Sequence, residues 1–214
     1  MPTRTGKTDT MVALFAASCP KRLFVLVPSD ALRTQIAEKF EQLGILPATG
    51  TLGNEPPAFP VIGRLATGLR NVNTAQAFTH GYNIVVTTPH ALNAGNEQAR
   101  FTFTAEFETL FVDEAHHVTA ATWAAVRARF KEKRVIQFTT TPYREDRQNL
   151  GSKIVYSYPL KLAQRQGYFS QINYRSVRAL GGEDRIIAQT ALAQLRNDLD
   201  AGHDIGVPLS SMRS

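Results

Sequence analysis

The sequence contains a single cysteine, Cys19, among 214 residues. One cysteine cannot form an intrachain disulfide, and it excludes a cysteine-based metal cluster within the chain. No apolar run reaches the roughly 20 residues that cross a bilayer, so we expect no membrane association. Residues 1–10 are polar and do not resemble a secretory signal. These absences favour a cytoplasmic protein in which Cys19 is buried as a small hydrophobic residue.

Acidic residues are outnumbered by basic ones, 18 to 24, which gives a formal net charge of +6. A basic surface suits a polyanionic partner such as DNA or RNA. An ordinary soluble domain can carry the same charge, so the charge alone does not separate the two interpretations. Hydrophobic residues make up 43% of the chain, enough for one full globular domain and part of a second.

Short apolar runs alternate with amphipathic segments, which predicts a parallel α/β sheet. The runs that predict strands buried on both faces are residues 23–27, 83–88, 109–113 and 134–138. The segments with helical spacing of apolar residues are 9–18, 31–43 and 120–130. Residues 44–65 are rich in glycine and proline and predict loops with at most short strands.

The pattern changes beyond residue 150. We predict a strand at residues 153–158, a short helix at 160–166, an extended segment at 169–177 and an amphipathic helix at 183–199. In the preceding sheet, polar signatures follow the ends of the predicted strands, where parallel sheets bind their ligands.

A phosphate-binding loop is predicted near the start of the sequence, where Gly6, Lys7 and Thr8 follow Thr3 and Thr5. A glycine lets the backbone approach phosphate oxygens, a lysine reaches the β- and γ-phosphates, and a hydroxyl binds Mg²⁺. The helix predicted next directs its positive N-terminal end at the same phosphates. A Gly-Lys-Thr triplet also occurs by chance in loops, so this motif needs a second signal.

Asp113 and Glu114 supply that second signal, because an apolar strand ends in these two acids. One carboxylate can hold Mg²⁺ through its water shell, and the other can act as a general base on water. The alternative is a solvated acidic turn. Two nucleotide-binding halves in this order, each at a strand–helix junction, together predict an ATP site.

Together with further segments, these motifs resemble the superfamily 2 DEAD/DEAH-box helicases. The similar branch contains the motor subunits of type I and type III restriction enzymes (ResIII-like). The segments that resemble motifs I, Ia, Ib, II and III are residues 1–8, 27–35, 86–89, 113–116 and 138–146. Residues 156–168 resemble the segment after motif III in that branch, and the resemblance extends over about residues 1–178.

The resemblance implies an α/β fold, with a RecA-like P-loop NTPase parallel sheet flanked by helices and an incomplete second domain. It also implies ATP and Mg²⁺, with Glu114 and Lys7 as catalytic residues and with Thr8 and Asp113 on the metal. The residues implied to bind the nucleotide are Thr3, Thr5, Gly6, Lys7 and Thr8.

Two further groups of residues take their implied roles from the same resemblance. The residues implied to couple nucleotide state to nucleic acid are His116, Thr139 and Thr141. The residues implied to line a nucleic-acid track, through contacts to phosphates that do not read sequence, are Pro28, Arg33, Thr87, Thr88 and Pro89.

The sequence departs from the family pattern at both ends. We predict residues 1–150 to be helicase domain 1 without its first strand, 151–182 a linker, and 183–214 the start of a truncated domain 2. Arg4 stands where the family has glycine, which predicts weaker nucleotide binding. Motifs IV to VI are missing from the sequence, so we expect very slow hydrolysis without a second RecA-like domain to supply arginine fingers.

The predicted function is an ATP-dependent DNA helicase or translocase. DNA is favoured over RNA on the resemblance of residues 139–146, and a nuclease or methylase partner stays open. One alternative is a non-catalytic fragment that binds ATP or DNA without turnover. Another is the product of a truncated gene with no activity of its own.

Overall fold

The computed structural model describes residues 6–52, 59–114, 120–140, 153–168, 183–200 and 202. The chain forms two compact units, Met1–Ser170 and Gln171–Ser214. The first unit contains a β-sheet and seven helices among its described residues. The second contains helix α8, Glu183–Asp200, which agrees with the amphipathic helix predicted at 183–199.

Five parallel strands form the sheet, in the order β2-β3-β1-β4-β5. Their bounds are β1 Leu23–Leu26, β2 Ile62–Leu65, β3 Ile84–Thr87, β4 Thr109–Asp113 and β5 Arg134–Phe138. β1, β3 and β4 are buried at every position, as a parallel sheet covered on both faces requires. The predicted α/β fold with a RecA-like parallel sheet is confirmed.

Helices cover both faces of this sheet. Their bounds are α1 Lys7–Ser18, α2 Asp30–Glu41, α3 Val72–Gly81, α4 Pro89–Asn93, α5 Glu97–Ala105, α6 Ala120–Arg129 and α7 Leu160–Arg165. Alternate residues of β1 pack into two different hydrophobic cores, one on each face of the sheet. Leu23 and Val25 pack with α1 and α2, around Met11 and Phe40. Phe24 packs on the other face in a core that includes α5 and α6 residues.

A short edge strand, β2, was not predicted as a definite element. It has only four residues and follows a segment rich in glycine and proline. Gly63 is essential there, because a Cβ at this position would lie 2.7 Å from the Tyr82 ring. The helices α3, α4 and α5 were also missing from the pattern, because they are short and rich in threonine, asparagine and alanine.

Two predictions about apolar residues are wrong. Residues 153–158 form no strand, and Val155 is 83% exposed there. These residues favour the β conformation, but no neighbouring strand among the described residues pairs with the segment. Cys19 is exposed, because it ends α1 in the left-handed conformation at φ 41° and its Sγ contacts the Ala16 carbonyl. The segment predicted at 169–177 lies outside the described residues.

Candidate functional site

Gly6 begins the site, because it turns the chain into α1. Its φ of 78° lies in the left-handed region, where glycine is favoured over residues that carry a Cβ. The Gly6 carbonyl accepts from the Thr10 backbone at 2.8 Å and from the Thr10 hydroxyl at 2.9 Å. Glycine has no side chain to cap the helix, so the first N–H groups of α1 receive no side-chain cap. Such N–H groups bind anions readily.

Three of the helices that follow sheet strands begin differently. The N-cap side chains of α2, α3 and α4 each accept a hydrogen bond from the first turn, and these residues are Ser29, Asn71 and Thr88. Their first turns are therefore already stabilised by the chain itself. α1 differs from these three helices because its N-cap residue makes no such hydrogen bond.

Asp113 and Glu114 lie at the carboxyl end of β4. Asp113 is the last strand residue and is 2% exposed. Glu114 follows at φ 45°, a left-handed conformation that costs a non-glycine residue roughly 1–2 kcal/mol. Its backbone N–H donates to Asp113 Oδ1 at 3.0 Å, which stabilises this turn. The turn directs both carboxylates toward α1.

Lys7 joins the two halves of the site. Its Nζ lies 2.9 Å from Asp113 Oδ1 and also donates to Glu114 Oε1. The three side chains are only 12%, 3% and 15% exposed, in the order Lys7, Asp113, Glu114. One cation thus faces two carboxylates in a partly dehydrated setting, which leaves the group with one net negative charge. The sequence prediction that these three residues belong to one site agrees with this geometry.

The end of β5 adds a hydroxyl to the same site. Thr140 Oγ1 lies 3.5 Å from Glu114 Oε2, the carboxylate oxygen that Lys7 does not contact. The pairing of Asp113 with Phe138 across β4 and β5 brings Thr139 and Thr140 beside the acids. The sequence indicated this threonine run but not which hydroxyl reaches Glu114. The candidates Thr3, Thr5, His116 and Thr141 lie outside the described residues.

The oxygen atoms at this site suit Mg²⁺, which prefers carboxylates, hydroxyls and phosphates. Asp113 offers a carboxylate, and Thr8 lies half-buried in the first turn of α1. Within the described part of the chain, no three His, Cys, Asp or Glu side chains form a metal-binding group. A carboxylate and a hydroxyl of this kind suit a magnesium ion that takes its other ligands from a bound molecule and water.

The candidates for nucleic-acid contact lie at the same edge of the sheet, on the neighbouring strands β1 and β3. Val27 N donates to the Thr87 carbonyl at 2.9 Å, so Pro28 and the 87–89 segment are close together. Arg33 donates to Asp30 within α2 at 2.5 Å. Its side chain is 13% exposed, so it lies along the helix surface instead of extending into solvent.

The two threonines of this segment already have partners. Thr87 is fully buried, and its hydroxyl donates to the Leu65 carbonyl at 2.9 Å. Thr88 is 5% exposed and accepts from Ala91 N at 3.2 Å, as the N-cap of α4. Pro89 is the first residue of that helix. In this structure the hydroxyls of Thr87 and Thr88 both form hydrogen bonds within the chain. These bonds stabilise the end of β3 and the start of α4.

A close approach of two loops supports this edge and was not predicted. A Cβ on Gly68 would lie 2.4 Å from the backbone of Ala94 and Gly95, and a Cβ on Gly95 would lie 2.7 Å from Leu69 N. Asn96 N donates to the Leu69 carbonyl at 2.8 Å. The sequence shows glycines here but gives no sign that the two are neighbours. The crossing fixes the loop after β2 to the end of α4.

Comparison with known proteins adds family information to this geometry. The family model for the type III restriction enzyme, res subunit, matches residues 1–144. No curated protein sequence matches the chain. The crystal structure of the UvsW helicase from bacteriophage T4 is similar at 15% identity and a TM-score of 0.46, over 66% of this chain and 45% of that one. The chain thus spans less than half of that helicase chain.

In the described part of the chain, no helix is both long and apolar enough to cross a membrane.

The family match and the fold agree with each other. Since the match extends over well more than half of the sequence, the chain belongs to the ResIII family, a branch of the superfamily 2 helicases, and carries its N-terminal RecA-like domain.

Proposed function

We propose that this chain binds Mg²⁺–ATP between α1 and β4 and acts as the first motor domain of an ATP-dependent DNA helicase or translocase. The single observation that carries the proposal is the contact of Lys7 with both Asp113 and Glu114. A solvated acidic turn would not bury three charges from the start of α1 and the end of β4, which are distant in the sequence. A nucleotide site requires all three charges, because the lysine binds phosphates, one carboxylate binds the metal and the other activates water.

Lys7 has a different partner in each state of this proposal. Without nucleotide, its ammonium group neutralises part of the charge on Asp113 and Glu114. With nucleotide, the same ammonium group binds the β- and γ-phosphate oxygens, and the N–H groups that begin α1 bind the phosphates from the backbone. Gly6 lets the loop approach the phosphates, and Thr3 and Thr5 complete it. The binding of triphosphate therefore frees the two carboxylates.

Glu114 is the proposed general base. Once Lys7 has moved to the phosphates, the Glu114 carboxylate can accept a proton from a water that attacks the γ-phosphate. Thr140 lies near its other oxygen and can hold the carboxylate in orientation. Thr139, Thr141 and His116 are the proposed coupling residues toward the nucleic acid and the second motor domain.

Thr8 and Asp113 would hold the magnesium ion. When bound, the ion neutralises charge on the β- and γ-phosphates. Asp113 suits this role because it is the least exposed acid of the site and is fixed at the end of a fully buried strand. Its Oδ1 already accepts from Lys7 and from the Glu114 backbone, so its geometry is set before a ligand arrives.

The proposed nucleic-acid track follows the carboxyl ends of β1 and β3, through Pro28, Arg33, Thr87, Thr88 and Pro89. Support comes from the placement of this segment beside the nucleotide half, on the adjoining strands of one sheet. Phosphate contacts from backbone groups grip without reading sequence, which suits a motor. DNA is proposed over RNA because the 139–146 segment resembles the restriction-enzyme branch, in which a nuclease or methylase can be a partner.

Nucleotide binding tests the site directly. We expect Lys7→Ala to abolish binding of a fluorescent ATP analogue in the presence of Mg²⁺, because the β- and γ-phosphates lose their cation. Lys21→Ala is the control, since Lys21 is an exposed lysine beyond the end of α1. Circular dichroism checks that both variants remain folded. Unchanged affinity in a folded Lys7→Ala protein would refute the site.

A further inference from the structure

The end of α6 and the start of β5 carry most of the excess positive charge of the chain. Residues 127–134 contain five basic side chains and one acid, Glu132, which is a net charge of +4 against +6 for the whole chain. Such a concentration within eight residues creates a local positive potential that an even distribution would not. These cations differ in whether they already have partners within the fold.

Lys133 is used within the fold. Its Nζ donates to the Ala105 carbonyl at 2.7 Å and the Thr104 carbonyl at 2.9 Å, at the C-terminus of α5. It also lies 5.2 Å from the centre of the Phe130 ring. Partial burial lowers the pKa of this lysine, against the opposing effect of Glu106. Lys133 thus fixes the start of β5 to α5 and is not available to a partner.

Three cations of the same segment have no carboxylate partner in the part of the chain that the structure describes. Among the residues that the structure describes, no acidic side chain lies within ion-pair distance of Arg127, Lys131 or Arg134. All three are exposed. Glu106, the residue that follows α5, is already paired with Arg22. The side chains are therefore free to contact an anion from solvent.

Two further arginines extend this group across adjacent helices. Arg129 of α6 donates to the Ala125 carbonyl at 3.5 Å, and Arg100 of α5 donates to the Asn93 carbonyl at 3.2 Å. Neither has a carboxylate within ion-pair distance among the described residues. Burial first and the charge of Arg100 second lower the pKa of Arg129, while Glu97 opposes both. The fold thus holds two arginines near each other, and neither forms a direct ion pair among the described residues.

We propose that Arg100, Arg127, Arg129, Lys131 and Arg134 form a second nucleic-acid contact, here called the α6 basic patch, which binds the phosphate backbone. The patch is rich in arginine, whose guanidinium group suits phosphate. Within segment 125–134, the other exposed residues are Ala125, Ala128 and Glu132. Protein-binding surfaces concentrate several aromatic anchors, whereas one aromatic residue, Phe101, is exposed beside Arg100. A polar surface with small spacers fits a charged backbone.

The α6 basic patch is separate from the proposed track. α6 runs away from the carboxyl end of β4, and β5 starts after it at Arg134. The free cations therefore lie toward the amino ends of the strands, while Lys7, Pro28 and Thr88 lie at the carboxyl ends. Nucleic acid bound to the α6 basic patch would lie away from the nucleotide site. This contact would keep the chain on its substrate between cycles of ATP hydrolysis.

Charge reversal tests the patch. The variant Arg127→Glu/Lys131→Glu/Arg134→Glu changes three exposed residues without known partners in the fold. The matched control, Lys153→Glu/Lys161→Glu/Arg165→Glu, makes the same change in net charge at exposed positions at and before α7. Binding of fluorescein-labelled duplex and single-stranded DNA is measured by anisotropy over a range of NaCl concentrations.

We expect the patch variant to bind at least one of these DNAs about 10-fold or more weakly at moderate salt. The slope of log affinity against log salt should fall by about 2–3, because that many phosphate contacts are lost. Equal weakening in the control would overturn the proposal, since net charge alone would then explain the loss. Unchanged binding in the patch variant, or displacement of DNA by poly-glutamate at equal charge, would also overturn it.

Cross-linking locates the contact independently. Because Cys19 is the only cysteine, a Cys19→Ser background allows a photoreactive group at Lys131→Cys or, as control, at Lys161→Cys. The patch predicts cross-links to DNA from position 131 and not from 161, and the reverse result contradicts it. The Lys7→Ala protein should give the same cross-link, so failure of the nucleotide site and failure of the patch remain distinguishable.

Discussion

Lys7 holds Asp113 and Glu114 together, and the strength of this contact can be measured without any ligand. Lys7→Ala leaves two partly buried carboxylates without their cation, which is destabilising, whereas Glu114→Gln removes one of those charges. We therefore expect the two changes to be coupled by about 1–3 kcal/mol in the free energy of unfolding. Urea denaturation of the two single variants and the double variant gives this coupling.

A surface ion pair provides the comparison. Arg64 and Glu41 are 2.8 Å apart but 39% and 40% exposed, so their coupling should stay below about 1 kcal/mol. If the Lys7–Glu114 coupling were no larger than that of this pair, the contact would be an incidental surface interaction. The mechanism proposed above would then lose the charge exchange on which it depends.

At the scale of single residues, the sequence predicts those whose chemistry is fixed by their type. The sequence grouped Gly6, Lys7 and the two acids into one candidate site because a phosphate and a metal would accept few substitutes, and the structure places Lys7 in contact with both acids. The sequence does not predict the environment of a side chain. Thr87 was expected to contact phosphate, but its hydroxyl donates to Leu65, a residue of a strand that the pattern did not clearly show. That role for Thr87 stays a prediction that its buried hydroxyl does not support.

At the scale of elements, the crossing of Gly68 and Gly95 makes a sharp prediction. Gly68→Ala would place a Cβ 2.4 Å from backbone atoms of Ala94 and Gly95, which cannot rotate away as side chains do. We expect the free energy of unfolding to fall by about 1–3 kcal/mol, as in overpacked cores. The loop after β2 and the start of α5 would separate, since Leu69 and Asn96 are bonded across the crossing.

Gly81→Ala is the matched control for this prediction. Gly81 is the last residue of α3, and a Cβ there would meet nothing within 4 Å. Alanine is the better helix former, so this variant should be neutral or more stable by up to about 1 kcal/mol. Thermal or urea denaturation compares the two. Equal stability of both variants would show that the crossing is not rigid.

The strands that the sequence predicted share one property, which is a short run of apolar residues. β1, β3 and β4 are core strands buried at every position, whereas β5 lies at the edge of the sheet and is only partly buried. β2 was not predicted as a definite strand, because this edge strand of four residues contains a glycine and an arginine. The wrong strand at 153–158 shows the converse: apolar residues form a strand only when a neighbour completes the ladder.

At the scale of the whole molecule, the sheet separates two tasks along one edge. The ends of β4 and β5 carry the proposed nucleotide half, and the ends of β1 and β3 carry the proposed track. β1 and β4 are hydrogen-bonded neighbours, so a change at Glu114 is two strands away from the 87–89 segment. Under the proposed function, only the strand β1 would separate the nucleotide half from the nucleic-acid track.

ATP turnover by this chain alone is expected to be very slow. The γ-phosphate in this class of motor is hydrolysed with the help of arginine fingers from a second RecA-like domain, worth roughly 10³–10⁵ in rate where measured in other phosphoryl-transfer enzymes. The described site contains a proposed base, Glu114, and a proposed cation, Lys7, which contacts both acids. We therefore expect the chain to bind Mg²⁺–ATP while hydrolysing it no faster than Glu114→Gln, with or without DNA. Phosphate release under single-turnover conditions measures this. A DNA-stimulated rate that Glu114→Gln abolishes would contradict the prediction, because one RecA-like domain would then suffice for catalysis.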